Sequence, residues 1–549
     1  MHQALQYLLP GKRHRWLLIC VASIGLSLFL QWDGQVLVIG GNHDSLKYLA
    51  MAETLLNGNW LGEYDQMTLI RLPIYSTFLA LNGKMEWPLQ RAQVLLYLAS
   101  IGFLMAALRS VNVNRWRIAA ACVLCSFHPA GILAPMYLAT ESLYTSVATI
   151  VLAGCIGVMG SVKKNNAVRF FWVILLSGSL ALFWHIRSES QWILPLGIGY
   201  VSYVLWEFRY GYRKNWVILS FTMLLPCFCV YSLTVFLQNE NKKYYGMGVT
   251  NELNEPNFAA VFHWLSRVDV GYHHPYIPVT QAALNQAYGI SPHFSMLKPF
   301  LSQQTEGRGW AKFGCEWMGI CDELAGGWTL WAVRDAAASI GVYQSAISAS
   351  HFYGEVAREV QTACKNGSVQ CVENPTGNML APPLMWADLP RIFRSCIKMV
   401  VLSITFGKLL EAVQDAPPIQ PSTELVSRYD QITHDQSPLK RNLSTVFIGI
   451  AIQIFQAIQI AGGIWLLIAV GIKSWKWIKN IQSGLINIMP EKYALTGCLM
   501  VFILSRIAVV AYIDAMSFYA QLRYMIVIYP ALITLICLLP VASKNADSF

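Results

Sequence analysis

Long apolar stretches separated by short basic loops run along most of the chain, and they predict a bundle of membrane-crossing helices. Runs near the ~20 residues that cross the hydrocarbon core as helix fall at Trp16 to Leu30, then at 89–108, 118–138, 142–160, 170–185, 191–206, 215–237, 444–472, 494–513 and 523–541. The pattern is that of an all-α polytopic membrane protein with about ten transmembrane helices. Between 238 and 443 the apolar runs stop. Trp328 to Ser348 and His351 to Cys364 there carry Ala and Leu at i, i+3, i+4 spacing, which predicts a mainly helical insertion. Pro417, Pro418, Pro421 and Pro438 mark 415–442 as an extended linker. Ser395 to Leu410 is apolar but carries Lys398 and Lys408, so 395–410 reads as an interfacial or buried amphipathic helix and not a span. The chain therefore divides into a transmembrane module over 1–237 with an outer loop at 33–88, an insertion and linker over 238–443, and a second transmembrane module over 444–549.

Composition agrees with this division: of 549 residues, 55% are hydrophobic and 13% charged, with mean hydropathy +0.43. The net charge of +10 sits in short loops, where it reports orientation and excludes a nucleic-acid partner. Arg109, Arg115 and Arg117, Lys163, Lys164 and Arg169, Arg209, Arg213 and Lys214, and Lys473, Lys476 and Lys479 all fall on the side of the amino terminus. Lys12, Arg13, His14 and Arg15 precede the first run, and Trp32 and Asp33 close it without a small-x-small cleavage site, as in a signal-anchor. The expected location is the plasma (inner) membrane, with both termini cytoplasmic and the insertion periplasmic or extracellular. Nine of the 13 cysteines lie in or beside apolar spans, and the other four, Cys315, Cys321, Cys364 and Cys371, share the insertion. An even count on the outer side favours disulfides, with 315 to 321 and 364 to 371 as the first pairing among three connectivities. Zinc is the lesser reading, since the spacings are not x2 pairs.

The outer loop holds the candidate chemistry. Asp44 follows the first span in the run Gly-Gly-Asn-His-Asp-Ser, and Tyr48, Ala52, Leu55, Leu56, Gly58, Trp60, Arg71 and Pro73 come after it. With Gln90 to Leu96 at the start of the second span and Arg523-Tyr524 near the carboxyl end, this pattern resembles the GT-C superfamily of integral-membrane glycosyltransferases, the group of protein mannosyltransferases and aminoarabinose transferases. The resemblance covers roughly the first 210 residues and the last 60, and the insertion lies outside it. It implies a polyprenyl-phosphate sugar as donor, used on the noncytoplasmic face, and Asp44 as the catalytic carboxylate. Ser45 stands where those two relatives have a Glu, so their substrates are not carried over.

One acid suffices chemically, because a polyprenyl phosphate is already a good leaving group and needs no protonation, unlike the two-carboxylate glycosidases. A base near the acceptor hydroxyl and positive charge at the departing phosphate are what the reaction requires. Asp44 suits the first, and Arg71, Arg187 and Arg523, beside Tyr524, suit the second by bidentate guanidinium contacts. Glu141, at the start of the fourth span, is a second candidate carboxylate for acceptor or metal. His43 and Tyr48 are candidate substrate contacts. Arg187 with Glu189 reads equally as a structural ion pair. His128, His185, His273 and His274 are scattered without ligand spacing, so no metal ligands are assigned, although the chemistry leaves room for a divalent metal as cofactor. Trp310, Trp317, Trp328 and Trp331 suit either sugar stacking or a core. The expected partners are the lipid bilayer, a polyprenyl-phosphate sugar and a glycan, lipid or protein acceptor. A transporter or flippase of lipid-linked sugars, or a polysaccharide polymerase or ligase, are the competing functions, and Arg506 inside the ninth span fits none of them specifically.

Overall fold

The computed structural model describes residues 14–32, 36–38, 45–161, 166–210, 215–271, 274–304, 308–373, 381–382, 384–406, 449–466, 468 and 491–538. His43, Asp44, His273 and the linker at 415–442 lie outside the described residues. Almost everything described is helical, and the described strands are two residues each: Leu37–Val38 pairs in parallel with Tyr137–Leu138.

Among the described residues, six helices are long and apolar enough to cross a membrane: Leu89–Ser110, Thr140–Gly160, Asn166–Trp184, Trp216–Tyr245, Gly449–Leu466 and Ala494–Met516. Arg115–Ser126 and Pro129–Met136, bent by 49° at their junction, bring the number to seven if counted as one span. The bend has a local cause, since the His128 ring nitrogen accepts from the Ala130 amide and Pro129 opens the second piece. The other expected spans are helical but short: Arg15–Leu30, Leu194–Tyr210 and Leu522–Leu538. At 1.5 Å per residue such helices reach only about 25 Å. Leu522–Leu538 starts as a tighter 3-10 turn over Leu522–Ile528.

Small residues let the bundle close. A Cβ at Gly154 would come within 2.8 Å of the Leu176 Cβ, and one at Gly157 would enter the Trp172 ring, so Thr140–Gly160 packs backbone-close against Asn166–Trp184. Arg169 and Glu207, both buried, join Asn166–Trp184 to Leu194–Tyr210 through bidentate bonds of 2.8 and 3.0 Å. Leu389–Thr405 is a strongly amphipathic helix packed on Ala494–Met516, where Asp514 accepts from Lys398 and from Ser395, each at 2.6 Å.

A second apolar core, distinct from that of the bundle, is built from helices of the insertion, chiefly Pro256–Leu265, Gly327–Ser339 and Ala346–Lys365, and it also takes in Met67 and Ile70 of the first outer loop. Disulfides Cys315–Cys321 and Cys364–Cys371 fasten it. Arg334, fully buried, donates to Glu252 at 2.6 Å and to the Gln66 carbonyl at 2.8 Å, while Tyr64 donates to Glu252 at 2.9 Å. The first outer loop is thus held between the bundle and the outer domain.

Candidate active site

Four of the sequence-predicted residues meet where the Thr140–Gly160 helix begins. Glu141 lies in its first turn, a position where the helix dipole favours a carboxylate. Arg187 precedes the 3-10 turn Ser188–Ile193 in an extended conformation, and this aims its guanidinium across to Glu141 Oε1 at 3.1 Å and Thr140 Oγ1 at 3.0 Å, with Nε 2.5 Å from Glu189 Oε1. Arg523 approaches Glu141 Oε1 to 3.7 Å and donates to the Tyr524 hydroxyl at 3.3 Å. Arg506 enters from the Glu491–Met516 helix: it is buried, lies 3.6 Å from Glu189 and donates to the Tyr524 carbonyl at 2.9 Å.

Aromatic faces wall this charge cluster. Arg187 stands 5.7 Å from the Tyr144 ring and 5.4 Å from that of Tyr524, and Arg506 stands 5.7 Å from Tyr144 and 5.6 Å from Trp192. Trp192 fixes the Tyr144 hydroxyl through a 2.7 Å bond. Three guanidiniums face two carboxylates here, so the described side chains carry one excess positive charge, and Arg506 Nη1 is buried without a hydrogen-bond partner among the described residues. Burial works against the Glu189 charge, but Arg187 and then Arg506 outweigh it and hold the carboxyl below its ordinary range. Such a cluster can take an anion, and its aromatic walls reduce the water that would screen the contact.

The first loop arrives at the same place. Val38 pairs with Leu138, and the Ser45 hydroxyl donates to the Leu138 carbonyl at 2.6 Å, two residues before Thr140. The two described residues that bracket 39–44 are therefore both held against Leu138, while His43 and Asp44 themselves fall in the undescribed stretch. Tyr48 is buried edge-on to Tyr75 at 5.2 Å. Arg71 lies between the loop and the outer domain, 5.8 Å from the Tyr48 ring and 5.4 Å from that of Trp331. Arg71 and Tyr48 form a neighbouring group, and no described contact joins them to Glu141.

The outer domain reaches the cluster through a relay of rings. Trp328 lies 6.0 Å from Phe518, which lies 6.4 Å from Tyr524. Trp310 and Trp331 stack at 6.1 Å, and Trp317 meets Trp328 edge-on, so these tryptophans pack first against one another. His128 and His185 are structural: the first touches Gln459, the second Ala181 and Thr234.

Sequence reasoning left Arg506 without a role and did not single out Thr140, Tyr144 or Trp192. A buried arginine within an apolar span was the available signal; the aromatic walls had none, because aromatics are common in such helices. It also assigned no metal ligands, whereas the structure gathers His293, Glu355 and Glu359 of the outer domain within ion-binding distance of one another. Their separation in sequence hid the set. Among the described residues of the arginine cluster, both carboxylates are engaged by guanidinium groups.

No family model matches the chain, and no curated protein matches it. Among solved structures it is similar to ArnT from Cupriavidus metallidurans bound to undecaprenyl phosphate, at 12% identity over 91% of this chain and 77% of that one, with a TM-score of 0.34. The apo state of the same ArnT gives 13% identity over 96% and 78%, with a TM-score of 0.32. The Archaeoglobus fulgidus oligosaccharyltransferase in its apo form gives 11% over 95% and 56%, with a TM-score of 0.36. At these TM-scores the likeness carries no argument, and the chemistry rests on the side chains of this chain.

Proposed function

We propose that the chain is a membrane glycosyltransferase of the GT-C type, with about ten spans, that moves a sugar from a polyprenyl-phosphate donor to an acceptor hydroxyl on the noncytoplasmic face. The observation that carries the reading is the cluster of half-buried Arg187 and Arg523 with buried Arg506 beside the first outer loop, with more positive than negative charge among its described side chains. The donor phosphate sits against Arg187 and Arg523, with Arg71 and Tyr524 at its border. The acceptor oxygen attacks the anomeric carbon, the bond from that carbon to the phosphate oxygen breaks, and the phosphate leaves with the bonding pair toward the guanidiniums. Asp44 takes the hydroxyl proton, and His43 and Tyr48 line the sugar side. Glu141 holds Arg187 and Arg523 in register. The outer domain, through Trp328 and Phe518, covers the acceptor side.

A transporter of lipid-linked sugars is the second reading, favoured by the broken span at Ser126–Pro129 and by an arginine buried within a span. Purified chain in proteoliposomes, given polyprenyl phosphate carrying a radiolabelled sugar together with membrane-derived acceptors, separates the two. Label released from the lipid into a glycan or protein fraction supports transfer. Label that changes leaflet while staying on the lipid supports transport and sinks the enzyme reading.

A further inference from the structure

The outer domain carries a cluster of chemistry-bearing side chains that the proposed transfer reaction does not use. On the helix Ala346–Lys365, Glu355 and Glu359 stand at i, i+4 and project from one face, and His351 stands one turn earlier in the same row. The short turn Pro292–Ser295 packs against that helix and brings His293 to the row, with Nδ1 2.6 Å from Glu359 Oε1. One ligand atom from each of His293, Glu355 and Glu359 lies within 4.8 Å of the others, and all three residues are half-buried.

The surrounding bonds orient the set. The Ser291 hydroxyl donates to Glu359 Oε2 at 2.5 Å and the His293 amide reaches the same oxygen at 3.3 Å, which leaves Oε1 turned to the imidazole. Ser291 is itself fixed, since its hydroxyl caps the turn by accepting from the Phe294 amide at 3.0 Å. Outer oxygens and amides that steer a ligand carboxylate in this way are what a metal site requires beyond its ligands. Glu355 pairs with Arg358, whose side chain is 68% exposed and can turn to solvent when a cation arrives.

We propose that His293, Glu355 and Glu359 bind one divalent transition-metal ion of the zinc class. Nδ1 and two carboxylate oxygens are its protein ligands, and water or His351 completes the shell. Two carboxylates against one neutral imidazole give a dianionic site that a dication neutralises. An imidazole among the donors selects zinc or cobalt over calcium and magnesium, which prefer oxygen shells. The ion ties the 292–295 turn to the middle of the helix, as Cys364–Cys371 ties its end, and so stiffens the domain that covers the transfer site.

The test uses the full chain in detergent, stripped with EDTA and titrated with zinc by calorimetry and with cobalt by visible absorption. One ion per chain is expected, with a melting temperature that rises on zinc addition and stays put with magnesium. His293→Ala and Glu355→Gln should each weaken binding on the order of a hundredfold while the metal-free protein still elutes as a folded monodisperse species. Arg358→Ala, which removes the competing cation and leaves every ligand in place, should tighten binding several-fold and guards against a loss caused by misfolding. Absence of stoichiometric zinc binding in the wild type, or binding unchanged by His293→Ala and Arg358→Ala, overturns the proposal and leaves an ion pair only.

Discussion

Arg523 and Arg187 share Glu141 but hold it differently, and the difference can be measured. Arg187 engages Glu141, Thr140 and Glu189 at hydrogen-bond distance, which suits a frame, whereas Arg523 meets Glu141 at 3.7 Å and the Tyr524 hydroxyl at 3.3 Å. Arg523→Lys keeps the charge and loses the fork, so transfer should fall by about 10²-fold with a raised donor KM, because a compact ammonium cannot reproduce the paired bonds. Glu189 gives a pH prediction. Its carboxyl is held below the ordinary range, so its pairing with Arg187 and Arg506 is fully present above the unfolded value of about 4.3 and is lost as pH falls through the lower folded value. Thermal unfolding of the wild type should therefore be flat with respect to this group from pH 5 to 8 and lose stability below about pH 4. Glu189→Gln should remove that part of the acid slope. A wild type and variant with identical acid profiles would contradict the assignment.

Single elements show where sequence and structure part. The apolar runs located the helices well, because a bilayer admits few other arrangements of backbone. Charge placement was harder to read: Arg169 counts toward the basic loops in sequence, yet its side chain is buried and forms a bidentate pair with Glu207. Arg334 was invisible in sequence, since its partners Glu252 and Gln66 are brought to it only by folding of the insertion. Both members of the Arg334–Glu252 pair are fully buried, and breaking such a pair leaves an uncompensated charge in the core. Glu252→Gln should destabilise the outer domain by about 3–5 kcal/mol, detectable as a lower-temperature transition or faster proteolysis of 246–373 while the bundle survives. At the helix contact of Gly157 with Trp172, Gly157→Val should lower yield of folded protein, because the added methyls would have to displace the ring. The four cysteines of the insertion were legible as an even set on one side, and the structure forms the two local pairs.

Across the whole molecule, the first outer loop is the joint on which everything turns. Its near end lies on Leu138 at the mouth of the bundle and its far end, at Met67 and Ile70, is built into the outer core. Lys47 and Asp65 cross-link the two ends at 2.8 Å, and although burial opposes it, Lys47 and neighbouring donors keep the Asp65 carboxyl below its usual range. The candidate site was legible in part: Glu141 and Arg187, 46 residues apart, do come together with the adjacent pair Arg523 and Tyr524 near the carboxyl end, while the relay from Trp328 through Phe518 to Tyr524 depends on a domain for which the sequence offered no resemblance. The central claim is that a carboxylate of this loop acts on a sugar whose phosphate the arginines hold. It is tested most directly by comparing Asp44→Asn with wild type in transfer of radiolabelled sugar from polyprenyl phosphate, at equal donor binding. The account predicts donor binding within a few-fold of wild type and transfer reduced by about 10²-fold or more. Transfer at the wild-type rate in Asp44→Asn would contradict it.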